Sequence, residues 1–227
     1  MNDNKKNYVY YETITVFFVA VLLISNIASA KIVQIGNLVF DGGTLLFPLS
    51  YILGDILTEV YGYSKSRKVI WKGFACAFLM SCVLYLVQIL PPAKDWPFQK
   101  SYEEILGMTW RIVFASLVAF CAGEFSNAYI LAKMKIFTKG KHLWLRTIGS
   151  TLFGEMVDTF LFCFIAFYGI YSHEALFSIV VSNYILKCTL EILCTPLTYK
   201  VVNFLKEKEG TDHYDYNTNF NPFSFKD

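Results

Sequence analysis

Six long apolar runs constrain this chain more than any other feature, because each can cross the hydrocarbon core of a bilayer as a helix. The runs are 18 to 24 residues long, and polar or turn-rich connections separate them. Hydrophobic residues make up 55% of the 227 residues and charged residues only 17%, whereas about a quarter of a soluble domain is charged. The sequence therefore predicts an all-α, polytopic membrane protein with six transmembrane helices. The predicted spans are 13–33, 44–61, 69–90, 110–131, 147–170 and 176–199.

The positive charges indicate how these spans are oriented. If both termini face the cytoplasm, fifteen of the twenty Lys and Arg residues lie on that side. The residues on or near the outer side are Lys31, Lys94, Lys100 and Arg111. This bias follows the positive-inside rule, so we expect both termini to be cytoplasmic and the protein to lie in the cell inner (cytoplasmic) membrane. The predicted parts are a cytoplasmic segment 1–12, a six-helix membrane domain 13–205 and a flexible cytoplasmic tail 206–227.

Acidic residues inside the apolar runs point to a function. Asp55 and Glu59 lie four residues apart in the second run, and this spacing places both carboxylates on one face of a helix. An ionised acid at mid-bilayer costs about 2.5–3.5 kcal/mol even on the lenient insertion scale, so it needs a partner, a proton or a ligand. Because lipid cannot solvate such groups, we expect them to converge on a shared interior. The acids in the later runs are Glu124, Glu155, Asp158 and Glu191.

Some polar residues of the spans also have plainer interpretations. Asn183, Lys187 and Glu191 form one stripe on the sixth span, where Lys187 can act in a structural ion pair. The plainer interpretation of Asn127 is a hydrogen bond between helices, without any role in binding. Glu59 lies near enough to the inner surface to reach lipid headgroups or the neighbouring basic loop.

The glycines and the balance of charge also help to decide between a structural and a functional interpretation of the spans. Gly54, Gly123 and Gly154 are interpreted as close-packing positions between helices. One buried lysine cannot neutralise all the acids of the spans, and this imbalance favours a functional cavity. The four acids on which that argument depends are Asp55, Glu124, Glu155 and Asp158.

An interior rich in carboxylates suits a cation, a proton or a neutral molecule with several N–H donors. A guanine-like edge is a good match, because its ring N–H and exocyclic amine can donate two parallel hydrogen bonds to one carboxylate. Glu124 or Glu155 is the acid that we expect to bind such an edge. Aromatic residues of the spans, Tyr51 among them, could stack on a planar ring, although most are expected to be ordinary packing residues.

Several blocks of the sequence are similar to those of one known family. They are N-I-A-S-A-K at 26–31, F-P-L-S-Y at 47–51, G-D-I-L-T-E-V-Y-G at 54–62, G-E-F-S-N at 123–127, R-T-I-G-S-T at 146–151, G-E-M-V-D-T at 154–159 and N-F-N-P-F at 219–223. With these blocks the chain resembles the queuosine precursor transporter family, also called the vitamin uptake transporter family, over roughly residues 13–205. The D-I-L-T-E-V-Y-G block is fairly specific, whereas isolated G-E pairs are weak signals.

The resemblance implies a six-helix inner-membrane protein that imports 7-deazaguanine compounds for tRNA modification. Its cargo would be 7-cyano-7-deazaguanine, 7-aminomethyl-7-deazaguanine, queuine or queuosine. Asn183 and Lys187 are added to the candidate site from the polar stripe of the sixth span. The residues expected from the resemblance to contact cargo or line its cavity are Asp55, Glu59, Glu124, Asn127, Glu155 and Asp158.

The sequence leaves the driving force, the exact cargo and the oligomeric state open. Proton coupling, facilitated diffusion and a borrowed ATPase module all fit, and so does a homodimer. The alternative function is the substrate-binding subunit of an energy-coupling-factor type vitamin transporter. No nucleic-acid partner is expected.

An enzyme is disfavoured by the motifs that the spans lack. I-L-G-D at 52–55 lacks the first glycine of a membrane aspartyl protease motif, and no predicted span contains the histidines of H-E-x-x-H. The six cysteines all lie in apolar runs without a C-x-x-C pair. We therefore expect no metal site, disulfide framework or cofactor.

Overall fold

Seven helices form the described part of the chain in a computed structural model of the protein. The structure describes residues 8–35, 38–107, 110–169 and 172–224. Most of the predicted N-terminal segment 1–12 and the last three residues of the predicted tail therefore lie outside the described residues. The helices are α1 Tyr11–Ala28, α2 Phe47–Tyr61, α3 Tyr63–Gln88, α4 Gln99–Leu106, α5 Trp110–Phe137, α6 Leu143–Phe167 and α7 His173–Glu209.

A short hairpin joins α1 to α2, where the sequence predicts only a turn-rich connection. Strand β1, Ile32–Ile35, pairs antiparallel with β2, Leu38–Asp41. Ile32 lies opposite Asp41 and Ile35 opposite Leu38. A 3-10 helix, Gly42–Leu45, then leads into α2. The fold is otherwise helical in the described residues, as predicted.

Five helices are long and apolar enough to span a membrane: α1, α3, α5, α6 and α7. The second predicted span differs, because α2 has 15 residues and is therefore roughly 22 Å long, less than the hydrocarbon core of about 30 Å. A multi-pass membrane fold is thus confirmed, whereas the count of six spans stays a prediction.

The short helix α2 lies at the centre of the bundle. It packs against α1, α3, α5 and α7, and twelve of its fifteen residues are buried. Leu57 and Val60 of α2 meet Phe18 of α1, Val69 of α3 and Val202 of α7 in the main apolar core. A helix that is buried on all sides needs no polar face, so the acids of α2 point into protein. Large apolar side chains are exposed on the outer helices, as lipid contact requires, and include Phe17, Leu79, Phe160 and Leu193.

The junction between α2 and α3 is shorter than predicted. Only Gly62 separates the two helices, with φ at +87°, a left-handed conformation that glycine adopts without strain. The third predicted span starts at residue 69, but α3 starts at Tyr63. The basic residues Lys65 and Arg67 therefore lie on the first turns of α3 and not in a loop.

The C-terminal segment contacts the helices, and the flexibility expected from its sequence stays a prediction. Helix α7 continues to Glu209, and residues 211–224 lie along the start of α3 and the end of α5. Arg67 Nη1 donates to the carbonyl oxygens of Asn219 (2.6 Å) and Asn221 (2.9 Å). Trp71 Nε1 donates to the carbonyl oxygen of Pro222 (2.8 Å). The segment is polar in sequence, but its backbone carbonyls accept hydrogen bonds from the buried Arg67 and the half-buried Trp71 of α3.

Candidate functional site

Helix α2 carries the first part of the candidate site on one face. Tyr51, Asp55 and Glu59 follow one another at four-residue spacing, and all three side chains are buried. Pro48 stands in the first turn of this helix, where the amide that it lacks would have no intrahelical partner. The sequence thus starts a helix that holds a phenol and two carboxyl groups inside the protein.

Glycines allow α5 and α6 to approach α2 closely. A β-carbon at Gly54 would lie 2.7 Å from Glu124 Oε2, and one at Gly123 would overlap the Tyr51 hydroxyl group. A β-carbon at Gly154 would lie 3.0 Å from the carbonyl oxygen of Gly123. These distances are too short for any larger residue without movement of the neighbours. The predicted role of the three glycines in close packing is confirmed.

Asp55 is held by an amide from α5. Asn127 Nδ2 donates a 2.7 Å hydrogen bond to Asp55 Oδ1, and both side chains are fully buried. The interpretation of Asn127 as an interhelical hydrogen-bonding residue is therefore correct for this state of the protein. It also places Asn127 directly at an acid of the candidate site.

Lys187 of α7 reaches two acids of α6. Its Nζ lies 2.6 Å from Asp158 Oδ2 and 3.1 Å from Glu155 Oε2. Glu155 is buried, whereas the side chains of Lys187 and Asp158 keep 11% and 14% exposure. One cation is thus shared by two carboxylates, as the predicted stripe on α7 suggested.

Glu124 of α5 lacks such a partner. It is fully buried, and neither carboxyl oxygen has a hydrogen-bond partner among the described residues. The buried hydroxyl of Tyr51 is also without a hydrogen-bond partner there. Buried polar groups are usually satisfied, so these two groups indicate a ligand, a water or a proton that completes the site.

Glu59 belongs to a different cluster at the other end of α2. Its Oε1 lies 2.6 Å from Lys206 Nζ, 2.7 Å from Arg146 Nη2 and 3.5 Å from Lys135 Nζ. Asp212 of the C-terminal segment joins the same two lysines, at 2.5 Å from Lys135 and 2.9 Å from Lys206. Glu59 therefore has three cationic partners, unlike the other acids of α2 and α5.

The acids of the C-terminal segment are stabilised as anions. Burial raises the pKa of Asp212, but hydrogen bonds from Lys135 and Lys206 outweigh it, so this pKa is lower than usual. Burial likewise opposes ionisation of Asp215, while hydrogen bonds from His213, Thr218 and the Tyr63 amide bring its pKa below the usual value. Both groups are ionised at neutral pH and link the segment to the helices.

The structure thus brings six of the eight predicted site residues together and leaves Asn183 and Glu59 apart from them. Asn183 is half-buried one turn before Lys187 and makes no hydrogen bond to the other candidate residues in the described part of the chain. Glu59 faces the cationic cluster. The candidate residues that meet in the centre of the bundle are Asp55, Glu124, Asn127, Glu155, Asp158 and Lys187.

Asp55, Glu124 and Glu155 are closed off from solvent in this conformation. Two surface pockets stand out in the described residues, one beside Asn26 and Gln88 and the other beside Trp144 and Pro196. Neither includes the central acids, which pack against one another and against glycines. The structure therefore shows a closed arrangement, and a planar molecule can enter only if the helices separate.

Sequence reasoning left two central side chains out of the site. Tyr51 precedes Asp55 by one turn and interacts electrostatically with the acids of three other helices. Glu191 is buried on α7, one turn after Lys187, and interacts electrostatically with Asp55 and Glu155. The four-residue spacing on α2 and α7 was the signal that could have identified both.

Comparison with known proteins identifies the family of the chain. A family model described as "Putative vitamin uptake transporter" matches residues 41–201, which contain all the candidate residues. Over 186 residues the chain is 29% identical to a "Probable queuosine precursor transporter" of Bacillus subtilis strain 168. This match covers 82% of the chain and 81% of the relative.

A second relative is a "Queuosine precursor transporter" of Escherichia coli K12. It is 25% identical over 155 residues, which cover 68% of the chain and 67% of the relative. No solved structure matches the chain.

Proposed function

The chain belongs to the vitamin uptake transporter family, and we propose that it imports queuosine precursors for tRNA modification. The names of its relatives support transport of these compounds. The proposed cargo is a 7-deazaguanine base such as 7-cyano-7-deazaguanine, 7-aminomethyl-7-deazaguanine or queuine. Transport, and not enzymatic catalysis, is the activity that the family supports.

In the proposed membrane arrangement α2 is a sixth, protein-enclosed span and both termini are cytoplasmic. The contacts of Glu59 and Arg67 support one part of this arrangement, because they gather one end of the helices around the C-terminal segment. Among the described residues, most Lys and Arg belong to segments at that end, namely the start of α3, the end of α5, the start of α6 and the end of α7. This is expected for the cytoplasmic side of an inner-membrane protein.

The proposal rests mainly on the buried acids at the centre of the bundle. Buried acids from α2, α5, α6 and α7 meet at the centre of the bundle, and some of their oxygens have no hydrogen-bond partner in the described residues. A neutral heterocycle with several N–H donors would satisfy such oxygens without adding a buried charge.

Glu155 is the acid that we assign to the guanine-like edge of the cargo. Its cation, Lys187, lies closer to Asp158 than to Glu155. Lys187 can therefore neutralise Asp158 while Glu155 accepts two parallel N–H bonds from the cargo. Asp55, held by Asn127, then lies on the opposite helix, where it can face a cationic or hydroxylated substituent.

Uptake by the purified chain tests this function. Proteoliposomes that contain only this chain should accumulate labelled queuine, and Glu155→Gln and Asp55→Asn should each reduce the initial rate by about tenfold or more, the loss expected for one charged hydrogen bond. Glu207→Gln, an exposed position on α7, is the matched control and should transport normally. Normal uptake by both site variants would contradict the carboxylate site. Uptake that requires an added ATPase module would instead support the substrate-binding subunit.

A further inference from the structure

We propose that Glu124 carries the proton whose movement drives cargo uptake, so that the protein is a proton symporter. This inference rests on the proposed import function and adds the driving ion and the residue that binds it.

The first argument is the environment of Glu124. Its side chain is 0% exposed, and both carboxyl oxygens lack a hydrogen-bond donor in the described part of the chain. Oε2 lies against Gly54, which provides no side chain to neutralise it. A buried carboxylate without donor or cation is strongly disfavoured. In this closed arrangement Glu124 is therefore the neutral acid.

The second argument is the contrast with the other acids. Glu59 has three cationic partners, and Asp55 accepts a hydrogen bond from Asn127. Glu155 and Asp158 share Lys187. Glu191 also has no cation and one buried oxygen, Oε2, without a hydrogen-bond partner, but only Glu124 has both carboxyl oxygens buried without a partner in the described residues. We therefore assign the change of charge on opening to Glu124.

The third argument is the set of titratable groups around Glu124. No positive charge from these helices pairs with it in the described residues. Helix α3 meets α5 nearer the C-terminal segment, through Tyr63 and Ile70. The facing groups are Tyr51 and Asp55 on α2, Glu155 and Asp158 on α6, Glu191 on α7, and Cys121 on α5 itself. Negative charge on the carboxyl groups of this set favours a bound proton on Glu124 as long as the site is closed.

These contacts also couple the proton to the cargo. Glu124 packs on Gly54, beside Asp55, so a separation of α2 from α5 exposes Asp55, which we assign to the substituent of the cargo, together with Glu124. When the site opens to the cytoplasm, the O–H bond of Glu124 breaks and the proton passes to water, leaving a hydrated carboxylate. When the site faces outward, the carboxylate takes a proton from water, and closure with cargo becomes favourable again. For a net inward movement of one proton per cycle, the empty site returns outward with Glu124 ionised, and Lys187, the cation of the central site, is the group that can neutralise it in that step.

A proton fits the site better than a metal ion. No group of three or more His, Cys, Asp or Glu side chains among the described residues is arranged to hold a metal. A proton needs a single carboxyl oxygen.

The test uses proteoliposomes and labelled 7-cyano-7-deazaguanine, which is uncharged. With the outside about one pH unit more acidic, one proton per cargo supports an accumulation of about tenfold, since 1.4 kcal/mol corresponds to a factor of ten. We expect this accumulation for the wild type, its loss with a protonophore, and cargo-driven acidification of a trapped pH dye. E124Q should take up cargo to an accumulation ratio of about one, whatever its rate. E207Q is the control and should behave as the wild type.

Several outcomes would overturn the proposal while import stands. They are wild-type uptake that ignores the pH gradient, dependence on a sodium gradient in its place, and gradient-driven accumulation by E124Q. If E124Q does not fold, E124D is measured instead, and a pH profile identical to that of the wild type would overturn the assignment. A wild-type chain that shows neither uptake nor exchange of any 7-deazaguanine would instead refute the import function itself.

Discussion

The acidic side chains buried in this protein have different neighbours, and these neighbours indicate different roles for them. Glu59 is neutralised by three cations, whereas Glu155 and Asp158 share one lysine. Glu124 has no donor in the described residues. Sequence spacing placed all four acids inside spans, but it could not tell which cation would reach which acid. Which cation pairs with which acid depends on how each helix is rotated about its axis and on how closely the glycines let the helices pack.

Glu59 is expected to stabilise the fold instead of binding cargo. The Glu59→Gln substitution removes the anion between Arg146, Lys206 and Lys135, and leaves buried cations with one anion, Asp212. Loss of one partner of a buried ion pair costs about 3–5 kcal/mol. Thermal unfolding in detergent should show a large decrease in stability.

The control for this substitution is Glu104→Gln. Glu104 lies 3.8 Å from Lys100 in an exposed pair on α4, and such pairs contribute about 0–1 kcal/mol. A Glu59→Gln protein with wild-type stability and lost cargo binding would show that the cationic cluster is not structural and that Glu59 contacts cargo.

At the level of whole elements, α2 and the C-terminal segment differ most from their sequence patterns. The apolar run 44–61 was long enough to be a span, but its first residues form a 3-10 helix and only 15 residues form α2. The C-terminal segment has the composition of a solvated tail, yet its backbone carbonyls bind Arg67 and Trp71. Such contacts join positions about 150 residues apart, and no local pattern encodes them.

The helical elements themselves follow their sequence patterns. Each of the predicted spans 13–33, 69–90, 110–131, 147–170 and 176–199 corresponds to a long helix, α1, α3, α5, α6 and α7. Their ends differ from the prediction, since α3 begins six residues earlier and α7 ends ten residues later. Apolar length therefore predicted the existence of these helices better than their ends.

Attachment of the C-terminal segment should depend on pH through Asp215. Its carboxylate accepts hydrogen bonds from the Tyr63 amide (3.1 Å) and from Thr218 (2.7 Å). Its pKa in the folded state is below the usual value, despite burial, because of these bonds and of His213. The stabilisation is therefore complete above the unfolded pKa of about 3.9 and is lost as pH falls through the lower folded value.

Hydrogen exchange of the Tyr63 amide measures this attachment. Exchange protection should persist from neutral pH to about pH 4 and decrease below it. Asp215→Asn should lose protection already at neutral pH, whereas Asp95→Asn, in the exposed connection after α3, should match the wild type. Equal protection in Asp215→Asn and wild type would show that the carboxylate does not hold the segment.

At the scale of the whole molecule, the sequence predicted which helices carry polar groups but not the state of the cavity. The polar residues at four-residue spacing on α2 and α7 contact polar residues of α5 and α6. They face the interior of the bundle because lipid cannot solvate them. Whether a hollow is open depends on the balance between closed and open packings of the same helices. The closed packing described here positions the acids without exposing them.

Binding to the purified protein tests the proposed carboxylate site most directly. The affinities of 7-deazaguanine and of 7-deazahypoxanthine, which lacks the exocyclic amine, are compared in wild type, Glu155→Gln and the control Glu207→Gln. For the wild type and the control, loss of the amine should weaken binding by at least about tenfold, because a hydrogen bond to a charged group contributes about 1.5–3 kcal/mol. In Glu155→Gln the difference should fall to between about twofold and about tenfold, since a neutral hydrogen bond contributes about 0.5–1.5 kcal/mol. Equal discrimination by Glu155→Gln and wild type would contradict the assignment of Glu155 to the guanine-like edge.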